Sequence, residues 1–541
     1  MTDQTTPPYV RPHPEPEPRS DTVTTPSPYR PGTDDTALAP PPGCPAHGRG
    51  PGGAHRLYGP EAEDLAAVYE RMRAEHGAVA PALLHDDLPI WAVLGHGENL
   101  QMVRNSSHFT RDSRHWRAVQ DGSAGPDHPL APVFTWQPMC SFVEGAEHRR
   151  LRGAVTGAMA TIDHRGVRRH INRFSQRLVN EFCEDGRADL VSRFAEHLPM
   201  MVMCQVIGMP EEYDERMVQA ARDMIQGTET AIASNAYVMA ALTRLVRRRR
   251  ERPVEDFTSA LITHESRLSD EEVAQHLRLV LIASYEATAN LIANVLRMVL
   301  TDPRFRAQLN GGQMTVPEAV EQSLWDEPPF SAMVGYFATQ DTELGGKHIR
   351  AGDGLILGIA PGNVDPAVRP DPEAPMQGNR AHLAFSGGPH ECPGQDLGRA
   401  IADTGVDALF MRLPDVELAV PESELRWRSS VLSRHLVELP VQFAPRPPQE
   451  PAGQAVTVPA PRGNWEVSSL TANSPATAAT SAPAPASAPA PASGPAPASA
   501  PASEPAAPAP ATAPGAARHA QNERRGGLGR RLLRWWRGQG R

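Results

Sequence analysis

The chain has 541 residues, a formal net charge of −10, 56 prolines and five cysteines. An acidic balance argues against nucleic acid as the main partner. Cys44, Cys140, Cys183, Cys204 and Cys392 form no CxxC pair and no regular spacing, which argues against a disulfide framework, a zinc site and an iron–sulfur cluster.

Residues 1–52 are rich in Pro, Thr, Asp and Gly, bury too little apolar surface to offset their ordering entropy, and are expected to be a disordered extension. The N-terminus lacks an apolar leader and no run of about 20 apolar residues follows, so a cytoplasmic protein without a membrane span is expected. The stretch "GPEAEDLAAVYERMRAEHG" predicts a helix opened by Pro60 and closed by Gly77. "APALLHDDLPIWAVLGH" reads as a hairpin. "EGAEHRRLRGAVTGAMA" is a helix with basic and small apolar faces, and helical periods continue to about Leu309. Strand signals return in "GYFATQDTELGGKHIRAGDGLILGIA", punctuated by Gly345, Gly346 and Gly352, and again in the C-terminal part of the body. The fold class is therefore α+β, mainly α-helical with small sheets, over residues 53–445. Residues 446–517 are a Pro/Ala/Ser spacer. Residues 518–541 set Leu532, Leu533, Trp535 and Trp536 among arginines, an amphipathic pattern suited to weak peripheral membrane or partner contact. The four-arginine run after Leu245 reads as a solvated helix end.

The chemistry concentrates in "AFSGGPHECPGQDLGR", Ala384–Arg399. A thiolate ligand needs a stiff loop, positive potential and a helix N-terminus behind it. Here glycines let the backbone approach a flat partner, His390 supplies a donor, and a helix starts near Gln395. Residue chemistry alone leaves two readings of Cys392 open, a ligand and a buried structural thiol.

Phe385, Gly388, His390, Cys392 and Gly394, followed by Leu397 and Arg399, resemble the haem-thiolate loop of the cytochrome P450 superfamily. The resemblance spans nearly all of residues 53–445. It implies haem b (iron protoporphyrin IX), with Cys392 as axial iron ligand and Phe385, His390 and Gly394 around the cofactor. "EHRRLR" resembles the family's C-helix segment, which implies that His148 and Arg152 meet haem propionates. The function implied is a monooxygenase taking electrons from a separate ferredoxin and NAD(P)H-dependent ferredoxin reductase and acting on a small lipophilic substrate.

Three departures qualify that picture. In "HLRLVLIASYEATANLIANVLRMVL", which resembles the family's long distal helix, Glu286 keeps the usual acid, but Ala287 replaces the usual Thr and leaves Thr288 as the nearest hydroxyl. Glu286 and Thr288 are the catalytic candidates, Thr288 standing about 100° further round the helix than Ala287. In "AVEQSLWDEPPF", Gln322 and Trp325 occupy the two positions of the usual Glu-x-x-Arg pair, and Ala374 stands where a third charge, an Arg, is expected. Losing all three charges together predicts a repacked neutral core. Glu-Gln-Ser-Leu-Trp resembles an actinobacterial subfamily lacking that pair. Tyr336 stands where an Arg usually meets a propionate. These losses keep a second function in view, a catalytically weak haem-binding regulatory or scaffold protein working with a small-GTPase system.

Overall fold

The computed structural model describes residues 53–449, apart from 127, 210–212, 214, 227, 303–304, 306–313, 372–373 and 377. The expectations for residues 1–52 and 518–541, and for nearly all of the spacer, lie outside the described residues. The body runs slightly past the expected limit of 445. Arg446 pairs with Asp415 at 2.7 Å, Arg412 donates to the Pro447 carbonyl, and Asn180 and Gln449 exchange two hydrogen bonds.

A six-stranded sheet lies at one end: β1 His55–Arg56, β2 Val79–Leu84, β3 Leu88–Val93, β4 Phe109–Thr110, β5 Ala332–Ala338 and β6 Gly354–Gly358. Its spatial order is β1-β2-β3-β6-β5-β4. The expected hairpin is β2–β3, antiparallel from Val79↔Val93 to Leu84↔Leu88. β3 then pairs parallel with β6, which brings the two halves of the chain together. The helix before β2 spans Leu65–His76; Asp64 accepts from the Ala67 N–H at its start, and Gly77 ends it at φ 83°. Only glycine takes that φ without strain, so the sequence reading of its stop is a backbone argument. The expected later strands form at Thr342–Leu344, Lys347–Ile349 and in four short segments from Glu417 to Gln442.

Four helices position the site: α1 Gly145–Ala160, α2 Asp270–Thr301, α3 Val316–Asp326 and α4 Gln395–Arg412. Ser269 and Glu272 cap α2 reciprocally. α2 is long and apolar enough to cross a membrane by composition, yet it runs through the body, packing on α3, α4 and the helices His197–Ile207 and Ala231–Glu251. That is the setting of a core helix, and the largest apolar cluster surrounds it.

Candidate active site

The loop carrying Cys392 is held by its own backbone. The Cys392 N–H donates to the Phe385 carbonyl at 2.9 Å, and Gly394 is the N-cap of α4. Gly388 sits at φ 65° with the Val103 carbonyl only 2.2 Å from where a Cβ would stand, so no other residue fits. The neighbouring Ser386 has φ 60° and ψ −147°, a region that suits glycine. Ser386→Gly is expected to raise the unfolding free energy by about 1 kcal/mol, measured by denaturant titration.

Burial pushes the Cys392 thiol pKa up, while the Gly394 N–H and the charges of Arg152 and Arg399 pull the other way. Arg399 lies 4.4 Å above the Phe385 ring, and His382 packs 5.6 Å from the same ring. Both residues also bind Glu321 on α3. Arg399 Nε donates to Oε1 at 2.6 Å, and His382 Nε2 to Oε2 at 3.1 Å. Burial would raise the Glu321 pKa, but these hydrogen bonds outweigh it and hold the carboxyl below its ordinary value.

This corrects the expected neutral core. Gln322 and Trp325 are indeed neutral and satisfied. Gln322 accepts from the Met376 N–H at 2.8 Å and donates to Asp326 at 2.8 Å; Trp325 donates to the Asn379 carbonyl at 2.8 Å and stacks toward His96. Charge nonetheless remains on both sides of them. Asp326 pairs with buried Arg369 at 2.7 Å, and Glu321 holds His382 and Arg399. The sequence reading passed over Glu321 because it aligned only the two substituted positions.

On α1, His148 is buried and its ring lies 4.3 Å from that of His390. Burial first, then the neighbouring His390, lowers the His148 pKa to about 4, so the ring is neutral at physiological pH. His390 Nε2 donates to Glu144 at 2.8 Å, a partner the sequence did not suggest. Arg152 Nη2 donates to the Glu391 carbonyl, which ties α1 to the cysteine loop. An open cleft of about 470 Å³, lined by Ser106, Glu144, His148, Arg149, Arg152 and Pro389 among others, adjoins this junction.

Across the body, Glu286 is pushed by burial to a pKa of about 7. Ala283, one turn earlier, stands exposed although most residues around it on α2 are buried or half-buried, so the helix leaves open space there. Thr288 does not share that face. It is buried, and a Cβ added at Gly398 of α4 would lie 3.9 Å from its hydroxyl oxygen. The structure therefore separates the two catalytic candidates.

A flat, doubly anionic cofactor fits these residues. Buried side-chain atoms without a hydrogen-bond partner include His148 Nε2, Arg111 Nη1 and Ser386 Oγ, all near the cysteine loop. A half-buried thiol at the N-terminus of α4 has the donor chemistry that a haem iron takes from a protein thiolate.

Comparison with known proteins agrees. No family model matches the chain. It is 30% identical over 401 residues to 2-hydroxy-5-methyl-1-naphthoate 7-hydroxylase of Streptomyces carzinostaticus, covering 72% of this chain and 97% of that one. Cytochrome P450-SU2 of Streptomyces griseolus is 31% identical, covering 70% and 93%. The solved structure of CYP154C4 from Streptomyces sp. W2061 superposes with a TM-score of 0.65 at 29% identity, covering 70% of this chain and 97% of that one. The chain belongs to the cytochrome P450 family and is a haem-dependent monooxygenase of that family.

Proposed function

We propose that Cys392 is the axial ligand of the haem iron and that this protein inserts one oxygen atom of O2 into a small lipophilic substrate, drawing electrons from a separate ferredoxin and its NAD(P)H-dependent reductase. The observation that carries the reading is the cysteine loop itself, with Gly388 pressed on Val103 and Gly394 opening α4 behind the thiol. Phe385, Gly394, His148, Arg152 and His390 surround the place the cofactor would take. Bound there, the haem supplies the activation of dioxygen that the side chains alone cannot perform.

The chain's own residues do the rest. Burial raises the Cys392 thiol pKa, and the Gly394 N–H at the α4 N-terminus with the charges of Arg152 and Arg399 offsets part of that cost of a sulfur anion. Exposed Arg149 and half-buried Arg152 on the cleft beside the loop suit an acidic electron donor. Glu286 holds a proton on its carboxyl below about pH 7 and gives it up above. As the proton donor for the distal face, it works alone, because Thr288 points to α4 and Ala287 carries no hydroxyl. We therefore keep Glu286 as the catalytic proposal and assign Thr288 to packing.

Glu286→Gln is expected to lower turnover by about 100-fold. In the native enzyme, product formation per NAD(P)H should fall as pH rises through about 7, and the variant should lose that limb. A variant with native turnover and an unchanged pH profile removes Glu286 from the mechanism.

The substrate class is tested by adding a panel of lipophilic metabolites and following the Soret band. A ligand that shifts it should be oxidised when a generic ferredoxin and reductase are supplied. A bound cofactor with no product from any donor, peroxide included, would return the weaker scaffold function, which the hydroxylase relatives do not favour. We infer a cytoplasmic location.

A further inference from the structure

Arg111 follows β4, and β4 pairs antiparallel with β5 through Phe109↔Ala338 and Thr110↔Phe337. Continuing that register by one residue sets Arg111 opposite Tyr336. The side chain crosses to that neighbour, its Cζ 4.8 Å from the centroid of the Tyr336 ring. The register shifts at Gly335, φ 119°, and a Cβ there would stand 3.6 Å from Arg111 Nη1, an ordinary contact distance, so the Arg111 side chain lies against this glycine. The Arg111 N–H donates to Glu144 at 3.0 Å and its Nε to the Ser141 carbonyl at 3.5 Å, but Nη1 is buried with no hydrogen-bond partner. His148 Nε2, Ser141 Oγ and Ser386 Oγ are left in the same condition.

A buried guanidinium donor without an acceptor is costly, and so is each orphaned neighbour. The acid in the group, Glu144, already accepts from His390 and from the Arg111 backbone through one oxygen, Oε1. Tyr336 is neutral, its buried hydroxyl approached by both Arg111 and Ser386, and His390 and Ser141 beside Arg111 bring no negative charge. Together they call for an external anion, and a porphyrin edge brings two carboxylates. We propose that Arg111 is a haem-carboxylate partner that takes over from the cation absent at position 336, the charge having moved sideways by one strand. This rests on the haem being seated on Cys392.

The test compares holoproteins as donors of haem to excess apomyoglobin. Arg111→Ala should release haem about tenfold faster or more than the native protein, the loss expected for one charge-assisted hydrogen bond pair. Arg111→Gln, close in size, should do likewise. Adding Tyr336→Arg to Arg111→Ala should return release toward the native rate. With haem dimethyl ester in place of haem, native and Arg111→Ala proteins should release at equal rates, because the carboxylates are masked. Unchanged release from both single variants overturns the proposal. Faster release that Tyr336→Arg does not correct and that persists with the ester shows a merely structural arginine and overturns it equally. The thiolate absorption of the CO complex reports on Cys392 separately and should persist in every variant.

Discussion

Cys392→Ala protein is expected to lose the strongly red-shifted Soret band of the CO-bound ferrous form, together with all measurable monooxygenation. The loss should be on the order of 10³-fold or more, about 4 kcal/mol of barrier. The argument is local. Phe385, Gly388 and Gly394 fix one backbone path, and along it the thiol is the side chain at the α4 N-terminus that can bind a soft metal centre as an anion. Cys140, Cys183 and Cys204 are buried elsewhere in the helical core, and burial pushes the Cys140 pKa up to about 11. None of them stands on this loop to substitute. An alanine protein with the native CO spectrum would refute the assignment.

Glu321→Ala is expected to cost about 3–5 kcal/mol in unfolding free energy, read by denaturant titration. Removing this carboxylate leaves Arg399 and His382, both buried, facing each other without their anion. Cys392 sits in the same unit, so haem content should fall in step. The pH dependence has a definite sign. The Glu321 carboxyl is held below its ordinary value in the folded chain. Its contribution is therefore complete above the ordinary carboxylate range and is lost as pH falls through the lowered folded value. The native protein should show an acid limb of stability from this source, and the variant should lack it. A cost under about 1 kcal/mol would mean that the cluster is solvated and carries little.

Much of the site was legible in the sequence because it is written in local pattern. The loop from Phe385 to Gly394, the α1 stretch with His148 and Arg152, and the long apolar α2 all form where their spacing put them. The β2–β3 hairpin and the Gly77 helix stop follow from alternation and from a positive φ. What escaped depends on pairing across distance. His390 meets Glu144, Arg399 meets Glu321 and Arg111 meets Tyr336 over 246, 78 and 225 positions of chain, and no periodicity encodes such partners. Thr288 lies buried beside α4, a placement that spacing alone does not give, since each residue along a helix turns a side chain onto another face.

Gln322 and Trp325 sit beside a tether that never broke. Because Glu321 already ties α3 to the helix behind the cysteine, a chain could exchange its neighbours without setting the loop adrift. A search that accepts members only by the customary Glu-x-x-Arg signature would discard this protein as a ruin. One that asks whether the segment ahead of the thiol is still moored would keep it.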